Sequence, residues 1–113
     1  MKTKLGITAL MVLIPLYIFA DPAKKVTLSF NKETKELSMV ILHPVANPKT
    51  HFIDKISILV DGEEVKVIKP TKQSSLKAED VKVIIPVIKI GSKVEVKTHC
   101  NEMGNKSGKL TVN

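Results

Sequence analysis

The stretch DKISILVDGEEVKVIKP, residues 54–70, carries the strongest fold signal in the chain. Asp61 and Gly62 stand between two runs that are rich in β-branched residues, and an Asp-Gly pair in this position is typical of a two-residue hairpin turn. Apolar and polar residues alternate on both sides of the pair, which is the period of a half-buried strand. The stretch therefore predicts an antiparallel β-hairpin.

Further strands are predicted before and after this hairpin. The runs with strand composition are residues 25–30, 36–43, 80–91, 92–100 and 107–112. Pro86 interrupts one of them and indicates an edge, a bulge or a break into two short strands. No segment after the first twenty residues has helical periodicity. About seven short strands separated by turns predict an all-β domain, an antiparallel β-sandwich of the immunoglobulin-like type. The polar residues 70–79 are expected to cross between the two sheets.

The first twenty residues have the order of a secretory signal peptide. A basic start, MKTK, is followed by an apolar run at residues 5–19, and Ala20 is a small residue just before Asp21. The run is shorter than the roughly 20 residues that a membrane-spanning helix needs. We expect cleavage after Ala20, export to the periplasm or the medium, and one mature domain at residues 21–113. Ile18, three residues before the cleavage point, leaves an uncleaved N-terminal anchor as the alternative.

Composition excludes several function classes. The net charge is +7 at pH 7, but aromatic residues make up only 4% of the chain, so nothing interleaves with the lysines to stack on bases. A nucleic-acid partner is therefore not expected, and neither is a membrane partner once the leader is removed. The chain has neither a Gly-x-Ser-x-Gly nucleophile turn nor a glycine-rich phosphate loop. The sequence leaves open whether the chain forms a homo-oligomer.

Cys100 is the only cysteine, so it cannot form an internal disulfide. In an oxidising compartment such a thiol is buried and inert, bonded to another chain, or held as a metal thiolate. Strand parity places Cys100 on the same face as Val94, Val96 and Thr98, which predicts an inward row.

A second inward row ends in an imidazole. His43 continues the apolar row of Leu37, Met39 and Ile41, and Pro44 then ends the strand. A thiol and an imidazole at the ends of two inward rows could meet at one end of a sandwich. Imidazole and thiolate together suit iron, copper or zinc. The simpler alternatives are that Cys100 is a small buried hydrophobe and that His43 is a hydrogen-bonded histidine at a strand end.

The order of several motifs resembles a known family. The motifs are His-Pro at residues 43–44, HFIDKISILVDGEEV at residues 51–65, a Lys-Pro loop, and HCNEMG at residues 99–104. This order is similar to that of the superoxide reductases, or neelaredoxins, and of the iron-binding domain of desulfoferrodoxins. Those proteins carry His-Pro, then a histidine before an Ile-rich strand with a Val-Asp-Gly hairpin, and Cys-Asn-x-His-Gly near the end. The resemblance covers residues 36–104.

The resemblance implies both a fold and an activity. It implies an immunoglobulin-like sandwich with one non-haem iron, held by four histidine nitrogens and one axial cysteine thiolate. Such a site reduces superoxide to hydrogen peroxide with an electron from a donor that this sequence does not identify. By resemblance, His43 and His51 are two of the nitrogen ligands and Cys100 is the thiolate. A net positive charge would also speed the arrival of an anionic substrate.

The ligand set departs from the family pattern. Met103 stands where the family has the histidine after the cysteine, and no histidine precedes His43. The predicted metal ligands are therefore His43, His51 and Cys100, with Met103 as a fourth. Iron is the first expectation for the metal. Two histidines, a cysteine and a methionine are also the ligands of blue-copper electron carriers, so copper is an alternative, as is zinc. His99 is expected on the outer face unless a bend at Asn101 turns it inward.

A non-catalytic function is the competing hypothesis. Residues 43–65 are also similar to the small sandwich subunit of the thiosulfate-oxidation carrier complex, which would make this protein an exported interaction module. The Cys-Asn-x-x-Gly pattern at Cys100, Asn101 and Gly104 favours the superoxide reductase family. The strand at residues 107–112 and the missing ligands favour the interaction module.

Overall fold

The computed structural model describes residues 22–113, and within this range the chain forms seven strands and no helix. The predicted signal peptide lies outside the described residues. Among residues 22–113, none belongs to a helix of the length and apolarity that crossing a bilayer requires. The strands are β1 (Lys25–Asn31), β2 (Glu36–Leu42), β3 (Ile53–Val60), β4 (Glu63–Ile68), β5 (Ala78–Ile84), β6 (Lys93–Cys100) and β7 (Asn105–Thr111).

The strands form two antiparallel sheets. One has the order β1-β2-β5 and the other has the order β4-β3-β6-β7. The predicted all-β class and the antiparallel sandwich are thereby confirmed. The immunoglobulin-like type of sandwich stays a prediction.

The hairpin predicted at residues 54–70 joins β3 to β4. Asp61 and Gly62 both have positive φ, 51° and 87°, which is the backbone that a tight two-residue hairpin turn requires. The Asp61 carboxylate accepts a hydrogen bond from the backbone N–H of Lys93 at 2.9 Å, and the Asp61 N–H donates to the Lys93 carbonyl at 2.8 Å. The turn is therefore fastened to the start of β6 as well as closing its own hairpin.

The core lies between the inward rows of β2, β3 and β6. Its fully buried apolar members on these strands are Leu37, Met39, Ile41, Ile53, Ile56, Ile58, Val94 and Val96. The two rows predicted from parity are confirmed, because Cys100 and His43 are both 0% exposed and extend them. Each row therefore carries a polar side chain to the same end of the sandwich.

Both ends of β5 differ from the sequence prediction. The run predicted at residues 80–91 forms a strand only as far as Ile84, and residues 85–92 form a loop. Pro86 has no N–H to donate, and Gly91 has φ +92°, so neither fits a continuing ladder. The predicted crossover between sheets is confirmed, but β5 begins at Ala78, so residues 69–77 make the crossing.

Candidate metal centre

Three metal-binding side chains converge at one end of the sandwich. The His51 Nε2 atom lies 3.2 Å from the Cys100 Sγ atom, and the His43 and His51 rings meet edge to face with centroids 4.9 Å apart. One donor atom from each of the three residues lies within 4.8 Å of the others. The structure therefore contains a His-His-Cys cluster that could hold a metal ion.

The fold explains why these three residues meet. His43 directly follows β2 in one sheet, and Cys100 is the last residue of β6 in the other sheet. Ile53 pairs with Cys100, so the segment that enters β3 runs beside the end of β6 and brings His51 to the thiol. Residues 43–52 connect the two sheets, and the two histidines stand at the two ends of this connection.

Gln73, in the crossover loop, fixes the ring of His43. The Gln73 Nε2 atom donates to the carbonyls of His43 at 2.7 Å and Ser75 at 3.0 Å, which sets the orientation of the amide. The Gln73 Oε1 atom therefore faces His43 Nδ1, 2.7 Å away, and accepts its hydrogen. With the proton on Nδ1, the lone pair of the neutral ring is on Nε2. This is the arrangement by which proteins orient metal-binding histidines.

We expect Gln73→Ala to weaken both the fold and the metal site. Gln73 is buried, and its removal leaves His43 Nδ1 and two carbonyls without their amide partner. The free energy of unfolding should fall by about 1–3 kcal/mol, and metal affinity should fall about 10- to 100-fold. Urea denaturation and competition with a chelator measure the two effects. Lys72→Ala, at an exposed neighbour, is the control, and equal behaviour of the two variants would contradict the assignment.

His51 has a carboxylate beside its other nitrogen. The Glu102 Oε1 atom lies 3.7 Å from His51 Nδ1, and the His51 side chain is mostly buried while that of Glu102 is half exposed. The distance is an ion-pair distance and exceeds that of a hydrogen bond. A carboxylate on this side favours a hydrogen on Nδ1 and so directs the Nε2 lone pair toward Cys100.

Asn101 fastens the segment that carries His51 to the end of β6. Its Oδ1 atom accepts from the Phe52 N–H at 2.9 Å, its Nδ2 atom donates to the Thr50 carbonyl at 2.9 Å, and its own N–H donates to the Phe52 carbonyl at 3.0 Å. These three bonds flank His51 on both sides. The asparagine of the Cys-Asn-x-x-Gly pattern therefore has a positioning role.

Gly104 is required by the same turn. Its carbonyl accepts from the Cys100 N–H at 2.9 Å, and its φ of +107° belongs to the region that favours glycine. A Cβ atom here would lie 2.6 Å from the Pro22 Cβ atom. Together with Asn101, this glycine gives the Cys-Asn-x-x-Gly pattern a structural explanation.

We expect Asn101→Ala to loosen His51 more than it unfolds the protein. Asn101 is exposed, and its two side-chain hydrogen bonds are worth about 0.5–1.5 kcal/mol each. Amide hydrogen exchange of Phe52 should accelerate, and the metal affinity should fall about 10-fold or more because one ligand is less well ordered. Ser107→Ala, on an exposed part of β7, serves as the control for both measurements. Unchanged exchange at Phe52 would show that Asn101 does not hold this segment.

The cluster fits a three-donor metal site. Donor atoms bonded to one ion at about 2.0–2.3 Å stand no more than about 4.4 Å apart, so small ring movements would close the present spacing around an ion. Cys100 and His43 are fully buried, and His51 is the member that approaches solvent. Water is therefore excluded from the core side of the centre, and solvent approaches the centre from the side of His51.

The other two sequence candidates lie differently. Met103 is 61% exposed in the turn between β6 and β7, and its role as a fourth ligand stays a prediction. His99 pairs with Lys55 across β3 and β6, on the face opposite to Cys100, and its Nδ1 atom lies 2.7 Å from the Asp54 carboxylate. The expectation that His99 faces outward is confirmed. Gln73 and Glu102 had not been recognised from sequence, because their roles depend on loops that meet only in the fold.

The fold and the cluster define a class of protein, a small all-β sandwich with a candidate metal centre at one end. No family model, no curated protein and no solved structure matches this chain. The functional argument therefore depends on the site itself.

Proposed function

We propose that this protein is a metal-binding redox protein whose ion is held by His43, His51 and Cys100. The observation that carries the proposal is the meeting of two imidazoles from the connection at residues 43–52 with the thiol at the end of β6, at one largely buried point. If His43 and Cys100 were only buried side chains of the core, the structure would not require a second imidazole beside the sulfur. The His51 Nε2 atom nevertheless lies 3.2 Å from the Cys100 Sγ atom. Gln73 and Glu102, which lie beside the Nδ1 atoms of His43 and His51 and orient the two rings, support the same conclusion.

The donor set limits the choice of metal. The chain has three histidines in all, and His99 faces away from the cluster, so four imidazoles from one chain cannot meet here. The residues therefore do not fit the four-histidine iron site that the sequence resemblance implies. They do fit a site with two nitrogens and one sulfur, which suits iron, copper or zinc. The proposed ion has positions that Met103, water or a small ligand could fill.

Superoxide reduction is the activity proposed from the resemblance. Iron held by His43, His51 and Cys100 would supply one-electron redox chemistry, by which superoxide, two protons and one electron from an external donor give hydrogen peroxide overall. The chain's own contribution is to hold a thiolate beside the ion, to keep bulk water from the core side, and to attract an anion with a net charge that stays positive after Lys2 and Lys4 leave with the predicted signal peptide. Half-exposed Glu102, beside His51, is placed to carry protons between solvent and the site.

Copper electron transfer is the second candidate, and the ligand types favour it. Two histidines and a cysteine are the strong ligands of blue-copper sites, with a weak axial methionine as the usual fourth.

Hydrolysis with Cys100 as the nucleophile is a less well supported function for the same residues. The contact between Cys100 and His51, with Glu102 beyond, resembles a nucleophile-base-acid series, but a sulfur with no exposed surface cannot reach a substrate carbonyl.

The test begins with protein purified from its own compartment and analysed for bound metals. About one equivalent of iron, copper or zinc is expected. The chain loaded with ferrous iron without oxygen and then oxidised should show thiolate-to-iron charge-transfer absorption, and it should consume superoxide. A copper-loaded sample should instead show an intense thiolate-to-copper band if the second candidate is right. Met103→Leu tests the fourth ligand, because either band should shift only if the thioether binds.

The negative outcome is also informative. Protein that contains no metal, takes up none of the three ions and consumes no superoxide would contradict the redox proposal. The sandwich would then be assigned to the interaction-module hypothesis.

A further inference from the structure

A buried serine hydroxyl on the outer face of the four-stranded sheet has no hydrogen-bond partner among the described residues. Ser57 lies in β3 between Ile56 and Ile58, which are core residues, so its side chain is on the opposite face, and yet Ser57 is only 8% exposed. Within residues 22–113, every side-chain nitrogen or oxygen atom that is shut off from solvent has a hydrogen-bond partner, and the Ser57 hydroxyl is in no such pair. The Ser57 oxygen therefore keeps a small opening to solvent.

That opening is a groove on β3, β6 and β7 with a volume of about 170 Å³. The residues that line it are Lys55, Ser57, Lys97, Thr98, His99 and Asn105. Pockets for drug-sized molecules usually have volumes of about 300–1,000 Å³. This groove is smaller, so it has room for a small ion with a few waters. We call it the lysine groove.

The register of the sheet brings four hydrogen-bond donors to the lysine groove. Ser57 is directly opposite Lys97 across β3 and β6. Lys55 is directly opposite His99, so it is a diagonal neighbour of Lys97. Asn105 is directly opposite His99 on β7. Side chains that are directly opposite have Cβ atoms about 4.5–5.5 Å apart, and diagonal neighbours are about 7–8 Å apart. These separations are within the reach of lysine side chains, so both ammonium groups can meet one ligand beside the Ser57 hydroxyl.

The two lysines of the groove are not engaged with other side chains. Neither Lys55 nor Lys97 forms an ion pair or a side-chain hydrogen bond with any described residue. Each ammonium group therefore has three donors to offer. Asp54 precedes Lys55, but its carboxylate lies 2.7 Å from His99 Nδ1 and accepts a hydrogen bond from it. Asp54 thus holds the His99 ring that forms one wall of the groove.

The other acidic residues on this outer face lie further along the sheet. Glu95 is directly opposite Lys109 on β7, and opposite charges in this relation attract each other. Glu64 is on the edge strand β4, opposite Leu59, and β3 separates it from β6. Neither glutamate lines the lysine groove. In the described part of the chain, two ammonium groups, a hydroxyl and an amide line the groove, and no carboxylate does.

We propose that the lysine groove binds a small tetrahedral oxyanion of the phosphate or sulfate type. Lys55 and Lys97 balance the charge of such an ion, and the Ser57 hydroxyl and the Asn105 amide donate to its oxygens. An ion with several oxygens around one centre matches donors that approach from three strands. The Ser57 hydroxyl then gains the hydrogen bond that it lacks within the protein.

This inference is independent of the proposed metal centre. Cys100 faces the core at the end of β6, whereas the lysine groove is on the outer face of the same sheet. Lysines that alternate with apolar residues are typical of solvated strand faces. Only the register between β3 and β6 shows that Lys55 and Lys97 flank one buried hydroxyl.

The test is a titration of the isotopically labelled full chain with inorganic phosphate at constant ionic strength, followed by nuclear magnetic resonance. The amide signals of Ser57, Lys97 and Asn105 should shift and saturate. Those of Lys32, in another lysine-lined groove, and of Gln73, beside the metal centre, should not. Sulfate in place of phosphate distinguishes the two ions. Equal binding of both supports a site for tetrahedral oxyanions in general, and weaker binding of sulfate supports a phosphate site.

Matched variants test the assigned donors. Ser57→Ala removes one hydroxyl without a change of charge, and because a hydrogen bond to a charged group is lost, phosphate affinity should fall about tenfold or more. Lys97→Gln should weaken binding at least as much. Lys66→Gln makes the same change of net charge outside the groove, and Ser29→Ala removes an exposed hydroxyl of β1. Both controls should bind phosphate like the original chain, and circular dichroism verifies that each variant is folded.

Three results would overturn the proposal. The first is equal phosphate affinity of the original chain and the folded Ser57→Ala and Lys97→Gln variants. The second is a shift of the Lys32 signal that follows the Ser57 signal, because it would show that phosphate binds to lysines without selection. The third is saturation of the Ser57 signal by chloride, which has no oxygens to accept from separate donors.

Discussion

Replacing Cys100 with serine is expected to remove the metal from the protein while leaving the sandwich folded. The sulfur is the only thiol in the chain, and it lies 3.2 Å from His51 Nε2. Substitutions of residues that hydrogen-bond to metal ligands already weaken metal affinity about 10- to 100-fold, and loss of a direct ligand should weaken it by about 100-fold or more. The metal content of purified protein and competition with a chromophoric chelator measure the change.

The fold should survive this substitution. Cys100 has no exposed surface, and a serine hydroxyl buried there needs a hydrogen-bond partner. His51 Nε2 is in place to be that partner, so the free energy of unfolding of the metal-free protein should fall by about 1 kcal/mol or less. A loss of metal from a folded variant can then be attributed to the missing thiolate.

His99→Gln is the matched control for Cys100→Ser. His99 is adjacent in sequence and carries a metal-binding ring, but it faces outward and is hydrogen-bonded to Asp54. Its substitution should leave metal content unchanged. Metal retained equally by Cys100→Ser and by the original chain would show that the sulfur is not a ligand, and metal lost equally from both variants would show a general effect of perturbing the end of β6.

Gly108→Ala is expected to destabilise the sandwich strongly, although it adds only one methyl group. Gly108 lies in β7 where this strand passes β1, and a Cβ atom there would lie 2.5 Å from the Val26 carbonyl oxygen and 2.8 Å from the Val26 Cβ and Cγ1 atoms. The nearest obstacle is a backbone atom, so no side-chain rotation can relieve the overlap. The two strands must separate, and overpacking of this kind costs about 1–3 kcal/mol.

A loss of this size is a large part of the total stability, which is about 5–10 kcal/mol for a domain of this length. Urea denaturation should show a lower midpoint with an unchanged m value, since the native and unfolded states keep their exposed areas. Ser107→Ala, at the exposed preceding residue, should change the midpoint little. Equal midpoints for the Gly108 and Ser107 variants would mean that β1 and β7 are further apart than the structure has them.

Strand positions followed well from sequence because their signals are local. Asp61-Gly62 defined its hairpin through the positive φ angles that both residues adopt, and alternation defined which side of β2 and β6 faces the core. The prediction of strand positions was less accurate where a local sequence signal was ambiguous. The apolar run after Asp80 has strand composition as far as Gly91, and Pro86 indicated an edge, a bulge or a break without showing that the chain leaves the sheet after Ile84.

The candidate site was predicted only in part. His43, His51 and Cys100 were selected from parity and motif order, and their convergence is confirmed. Nothing in sequence indicated that Gln73, some thirty residues from His43, orients its ring. The positioning role of Asn101 was also not predictable from the sequence, because its hydrogen-bond partners lie about fifty residues away in the segment before β3.

By itself, then, the sequence determined the strands, the turns and the faces of the strands, since backbone dihedral preferences and a two-residue period act between near neighbours. Only the tertiary structure decided which ends of those strands meet. The packing of the two sheets brings together His43 and Cys100 and leaves Val87 and Ile90 in water. The physical reason is that these arrangements depend on contacts between distant segments, whose energies no local pattern contains.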